Sequence, residues 1–223
     1  MREGSEATRR SLLEAAAHLF DERGYAGTSI SAIGRRSGLT SGAIYFHYSS
    51  KDNLARAVVE EHFASWPPLI TRISAAPAPA LDKIICMSYV VARAFRDDIV
   101  VRAGARLWLE RTAINVPLPP PFVDWINTLS ELLGEARAEG GVDTHVDPPT
   151  TAAVLVCAFF GTHTVSDALD SRLLIEERLT HLWLHLLPGL QSTLPAAALV
   201  ERARGCLDQP EPPPSLPLPP VPT

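Results

Sequence analysis

Cysteine is scarce. Three residues, Cys86, Cys157 and Cys206, lie far apart in a chain of 223, odd in number and without CxxC or zinc-ligand spacing. This excludes a disulfide-stapled scaffold and a cysteine metal site, and fits reduced thiols in a cytoplasm. No stretch reads as apolar enough for long enough to span a bilayer, and the N-terminus opens on charge rather than on the apolar run of a secretory leader. A phosphate-cradling glycine loop and a nucleophile motif are both missing. The seven histidines are scattered, and the His181/His185 pair lacks the glutamate and third ligand of a metal-binding helix. No enzyme, no cofactor and no metal are therefore expected. Strand-type alternation and internal repeats are absent as well.

Acidic residues are missing from one window in particular. The chain carries a formal net charge of −5, yet no Asp or Glu stands between Glu22 and Asp52. That window holds Arg23, Arg35, Arg36 and Lys51 among Ser, Thr, Tyr and His. A basic, hydroxyl-rich surface on an acidic protein suits a phosphate-facing module, although so short a window can also arise by chance.

What is present is helical periodicity, in a chain that is 46% hydrophobic. Leu12, Leu13, Ala16, Leu19 and Phe20 make an amphipathic first helix closed by Gly24. Thr28 or Ser29 caps a short second helix with Ile30 and Ile33. Gly38 breaks it, and Thr40 or Ser41 caps a third. A fourth starts near Ser49–Asp52 and runs through Phe63, and Pro67-Pro68 should kink or end it. Further helices are expected over 81–95, 99–113, 122–138, 151–169 and 173–187, the last stopped by Pro188-Gly189, with a short one over 195–206. The helix over 151–169 is apolar nearly all round and should be central. The fold class is all-α: a helix-turn-helix head (1–51), a larger helical body (52–207), to which the resemblance given below assigns ligand binding and dimerisation, and a Pro-rich tail (208–223) that cannot hold a helix.

The head carries the specific signal. Two short helices around Gly38 have helix-turn-helix spacing, and the second, from Thr40 to Tyr48, suits a major groove. Gly42 and Ala43 allow close backbone approach to base edges. Ile44, Phe46 and Tyr48 are expected to pack inward, leaving Tyr45 and His47 for phosphates. Lys51 at a helix start, Thr28 and Arg36 complete the expected contacts, with Thr40 and Ser41 at the helix tip.

These residues, from Ala15-Ala16 through Phe20, Gly24-Tyr25, Thr28-Ser29-Ile30, Ser37-Gly38-Leu39-Thr40 and Gly42 to Tyr48 and Lys51, resemble the TetR family of repressors. The resemblance implies a homodimer on palindromic double-stranded operator DNA. In the body, Arg93, Val101-Arg102-Ala103-Gly104, Arg106-Leu107, the 117–122 proline segment, Trp125, Val156-Cys157 and Gly161-Thr162 resemble the γ-butyrolactone autoregulator receptors. That likeness implies release from DNA by a signalling lactone and control of antibiotic-production genes. It also implies that Trp125 lines the ligand pocket and Thr162 hydrogen-bonds the ligand. His62 stands where the subfamily has Gln, and Ser41 where relatives often have Lys, which weakens the expected guanine reading. His62 and Tyr89 are further pocket candidates. Read as isolated residues, Trp125 is an ordinary core tryptophan, Thr162 bonds back to its own helix, and His62 and Tyr89 are satisfied core groups. Two rivals remain open: a pseudo-receptor answering to an antibiotic or a butenolide or furan signal, and a ligand-independent DNA-binding regulator.

Overall fold

The computed structural model describes residues 2–191 and 193–205. Among them are eleven α-helices, one 3₁₀ turn and no strand. The head comprises α1 (Arg2–Arg23), α2 (Ile30–Ser37) and α3 (Ser41–Tyr48), followed by α4 (Lys51–Ala64). The body continues with α5 (Trp66–Ser74), α6 (Ala80–Asp97), α7 (Ile99–Leu109), α8 (Val123–Ala138), α9 (Pro148–Asp170), α10 (Ile175–Leu190) and α11 (Ala196–Arg204). The Pro-rich 208–223 segment lies outside the described residues.

Side-chain caps start the short helices. Ser29 accepts from Ala32 N, Thr40 from Ala43 N and Ser50 from Asn53 N, each satisfying a backbone donor the first turn leaves unpaired. Gly38 ends α2 at φ 70°, a left-handed turn that an L side chain adopts at a cost. Pro67-Pro68 ends α4 but also opens α5, a helix not anticipated, because proline is tolerated in a first turn. Pro188 does not stop α10, which continues to Leu190; the proline sits in the last turn.

Two apolar clusters form. One joins Leu12, Ala16 and Phe20 of α1 to Ile33, Ile44, Leu54 and Val58, and takes in Ala103 and Leu107 of α7. The other gathers α5, α6, α8, α9, α10 and α11, with Val101 and Ala105 of α7. Helix α7 thus contributes to both, and it packs against α1 and α4. At Gly104 it passes so close to His62 of α4 that a Cβ would collide with the imidazole.

Three expectations are corrected here. Helix α9 is not central. It buries Ala152, Leu155, His163 and Ser166, but Val154, Cys157, Gly161, Val165 and Leu169 form an exposed apolar face. By length and composition it would also meet the requirement for crossing a bilayer, which the sequence reading denied. The thiols are not all reduced: Cys86 is buried and disulfide-bonded, while Cys157 is free and exposed.

Candidate DNA-binding face and aromatic cavity

Helix α3 presents two opposed faces. Ile44 and Tyr48, four residues apart, point into the head; the Tyr48 hydroxyl donates to Arg9 O of α1 at 2.8 Å. On the opposite side Thr40, Ser41, Gly42 and Tyr45 are exposed, with Ala43 and His47 half-buried. Phe46 corrects the sequence reading. It is 82% exposed, because residue 46 lies about 200° around the helix from Ile44. Alternating apolar residues share a face on a strand, not on a helix. Its ring meets His47 edge-on at 5.1 Å, in the last turn of the helix. Arg36, in the last turn of α2, is exposed.

Thr28 is not available for phosphate. Its hydroxyl is buried and donates to Leu19 O and Gly24 O, at 3.0 and 2.8 Å, and Ser29 rather than Thr28 is the cap. Lys51 is committed in part. Its ammonium donates to Tyr25 O and Thr28 O, at 3.0 and 3.1 Å, and lies 4.0 Å from the Tyr25 ring centre. Two of its three donors hold the α1–α2 turn, so it shapes the head as well as charging it. Tyr25 is fixed further through its hydroxyl, which donates to Asp52 Oδ1 at 2.6 Å. That bond, followed by one from Asn115 N, holds the Asp52 carboxyl below its usual range.

The body encloses a cavity lined almost entirely by carbon. All four tryptophans of the chain, Trp66, Trp108, Trp125 and Trp183, reach its wall, together with Phe95, Phe122, Phe159 and Phe160. Trp125 is where expected, edge-on to Trp66 at 5.7 Å. His62 also lines the cavity. It is buried, desolvation pulls its pKa down to about 4, and its Nδ1 has no hydrogen-bond partner in the protein. A buried, unpaired polar atom in an apolar wall is costly unless something else bonds it. Ser88 also lines the cavity, but its hydroxyl accepts from Trp183 Nε1 and donates to Ile85 O.

Two pocket candidates are displaced. Tyr89 is fully buried outside the cavity wall, with its hydroxyl 2.7 Å from Thr180 Oγ1, a satisfied core group. Thr162 donates to Ala158 O of its own helix at 2.9 Å and is not in the wall. Next to it, His163 packs on Phe95 at 3.8 Å between ring centres and accepts from Arg172 Nε. Burial, then Arg172, push its pKa down to about 3. Trp66, Phe95, Trp108 and Trp183 escaped the sequence reading. The usable signal was collective: four tryptophans on four amphipathic helices.

Two family models match the chain in succession. Residues 12–58 match the model of bacterial regulatory proteins of the tetR family, and residues 78–192 match the tetracyclin repressor-like C-terminal domain. The chain is 32% identical to the A-factor receptor protein of Streptomyces griseus over 82% of its own length and 63% of that protein, so it spans less than two thirds of that relative. A solved gamma-butyrolactone receptor, an ArpA-like protein, superposes with a TM-score of 0.78 at 30% identity, covering 92% of this chain and 98% of that one. CprB of Streptomyces coelicolor, solved in complex with its operator sequence, gives 0.80 at 31% identity, over 95% and 100%.

Proposed function

The chain belongs to the TetR family of bacterial transcriptional regulators, and from that premise we propose that a small lactone-like molecule in the aromatic cavity releases it from operator DNA. It is a DNA-binding repressor of a regulatory rather than an enzymatic family. The exposed tip of α3 reads the major groove: Thr40, Ser41, Gly42 and Ala43 approach base edges, and Tyr45, His47 and Arg36 meet phosphates. Phe46 joins this set, since an exposed aromatic ring beside the groove is suited to a thymine methyl. The working division is a head over 1–51 and a body over 52–207. Two copies associate through the apolar face of α9 and neighbouring α10, which sets two recognition helices about one DNA turn, roughly 34–36 Å, apart. The cell compartment of such a regulator is the cytoplasm.

The cavity carries the ligand reading. An aromatic wall with one unpartnered buried polar atom suits an uncharged, mostly apolar molecule with a hydrogen-bonding oxygen, as a γ-butyrolactone has. The His62 imidazole is neutral near neutrality, so it offers no charge to a carboxylate. Trp125 stacks against the ligand body. The test is mobility shift of a palindromic duplex from the chain's own upstream region against a scrambled duplex, with panels of acylated γ-butyrolactones, furans and butenolides. Selective binding reversed by a lactone supports the reading. Binding reversed only by a furan or butenolide transfers it to the pseudo-receptor class, and binding that nothing reverses leaves a ligand-independent regulator.

A further inference from the structure

The Val101–Leu107 motif plays no part in DNA contact or in polar recognition within the cavity, yet its polar side chains are the most directly engaged with the head. Arg102 and Arg106 are one turn apart on α7 and both grip Asp21 in the last turn of α1. Arg102 Nε donates to Asp21 Oδ2 at 3.0 Å, and Arg106 Nη1 donates to the Asp21 carbonyl. That carbonyl belongs to the helix end whose last oxygens lack intrahelical donors, so a guanidinium there is favoured twice, by hydrogen bond and by helix dipole. Arg106 Nε also meets Glu110 Oε1 at 3.0 Å, and Glu110 Oε2 accepts from Tyr25 N at 2.6 Å. The turn that leads from α1 into α2 is therefore clamped from the body.

The other arm of Arg102 reaches the last turn of α6. Its Nη1 donates to Arg96 O at 2.6 Å, and the preceding residue, Phe95, is a cavity wall. Arg96 is itself held by Glu176 of α10 and by Asp97. One guanidinium thus spans from the backbone next to a cavity residue to a carboxylate of the head, with both side chains of the ion pair mostly shielded, at 22% and 24% exposure.

We propose that Arg102 is a positioning residue that holds the head in its DNA-binding placement by bridging Arg96 O, next in sequence to the cavity residue Phe95, to the Asp21 carboxylate. It rests on the DNA-binding reading of α3. Because it touches no DNA, its loss changes affinity without changing the number of phosphates neutralised.

The test is a pair of double-mutant cycles on full-length protein, read as affinity for the fluorescein-labelled upstream palindrome at several salt concentrations. Arg102→Ala and Asp21→Ala should each weaken operator binding on the order of tenfold, within the range of a single coupling, with the salt slope of the wild type. The double variant should be no weaker than either single one. Phe95→Leu should weaken binding in the wild-type background and have no further effect in Arg102→Ala. Tryptophan emission and thermal midpoint confirm a folded body in each variant, and Arg102→Lys, which keeps one of the two bonds, should fall between wild type and Arg102→Ala. Additive effects, affinity within twofold of wild type, or a reduced salt slope in Arg102→Ala would overturn the proposal, the last by making Arg102 a phosphate contact. Failure of the DNA-binding reading is seen separately, as a wild type that does not select the palindrome.

Discussion

A neutral imidazole buried in an aromatic wall makes stability depend on pH in a known direction. His62 falls from 6.5 to about 4, and His163 from 6.5 to about 3. Below the ordinary value the unfolded chain takes up protons that the folded chain refuses. Stability is therefore complete above about pH 6.5 and declines as the pH drops towards about 4 for His62 and about 3 for His163. Urea midpoints should fall across that window, and His62→Gln should make the decline shallower; a pH-independent midpoint would contradict the burial of these rings. At the same scale, Phe46→Ala should lower operator affinity with the fold intact, read by anisotropy. The loss should be about 1–3 kcal/mol if the ring carries base discrimination. Trp125→Ala should leave DNA binding unchanged and abolish release by lactone. Trp125 and His62 come into view as wall residues only through the family resemblance, since each by itself reads as an ordinary core group. For Thr162 and Tyr89 the plain reading of the isolated residue, a hydroxyl bonded within the core or to its own helix, is the one the structure shows, whereas for Thr28 only tertiary context reveals that the hydroxyl is taken.

Elements were legible wherever caps and periodicity agreed. Ser29, Thr40, Ser50 and Asp147 start helices because their side chains satisfy first-turn donors, and those signals are local. Helix α5 departs from the sequence expectation because proline is tolerated in a first turn, and α10 runs past Pro188 to Leu190 although that proline forfeits one helical hydrogen bond. Helix α9 was misread for a different reason. An all-apolar helix is covered by something, but sequence does not say whether by its own chain or by another. Its exposed stripe of Val154, Cys157, Gly161, Val165 and Leu169 lies along one side, as a helix-pair interface requires. Val165→Glu should accordingly yield a monomer in light scattering and weaken binding to a two-half-site operator far more than to a single half-site. Ile44→Ala, at the fully buried contact of α3 with the head, should cost about 2–5 kcal/mol and unseat the recognition helix.

In the whole molecule, two apolar clusters meet at α7 and Phe63, and Arg102 and Arg106 of α7 add polar bonds to the head. The window between Glu22 and Asp52 carries no acidic side chain and holds the helix proposed to face DNA, while Asp21, just before it, anchors to the arginines of α7. A ligand shifts the head only by as much as it prefers the released arrangement. A hundredfold change in operator affinity corresponds to roughly 2.7 kcal/mol of such preference. That cavity occupancy governs the grip on DNA is the central claim, and tryptophan emission tests it directly because all four tryptophans line the cavity. A single titration of the protein–operator complex with an acylated γ-butyrolactone, recording tryptophan quenching and labelled-duplex anisotropy together at constant salt, should show both signals moving with one midpoint. Quenching that saturates while the duplex stays bound would contradict it.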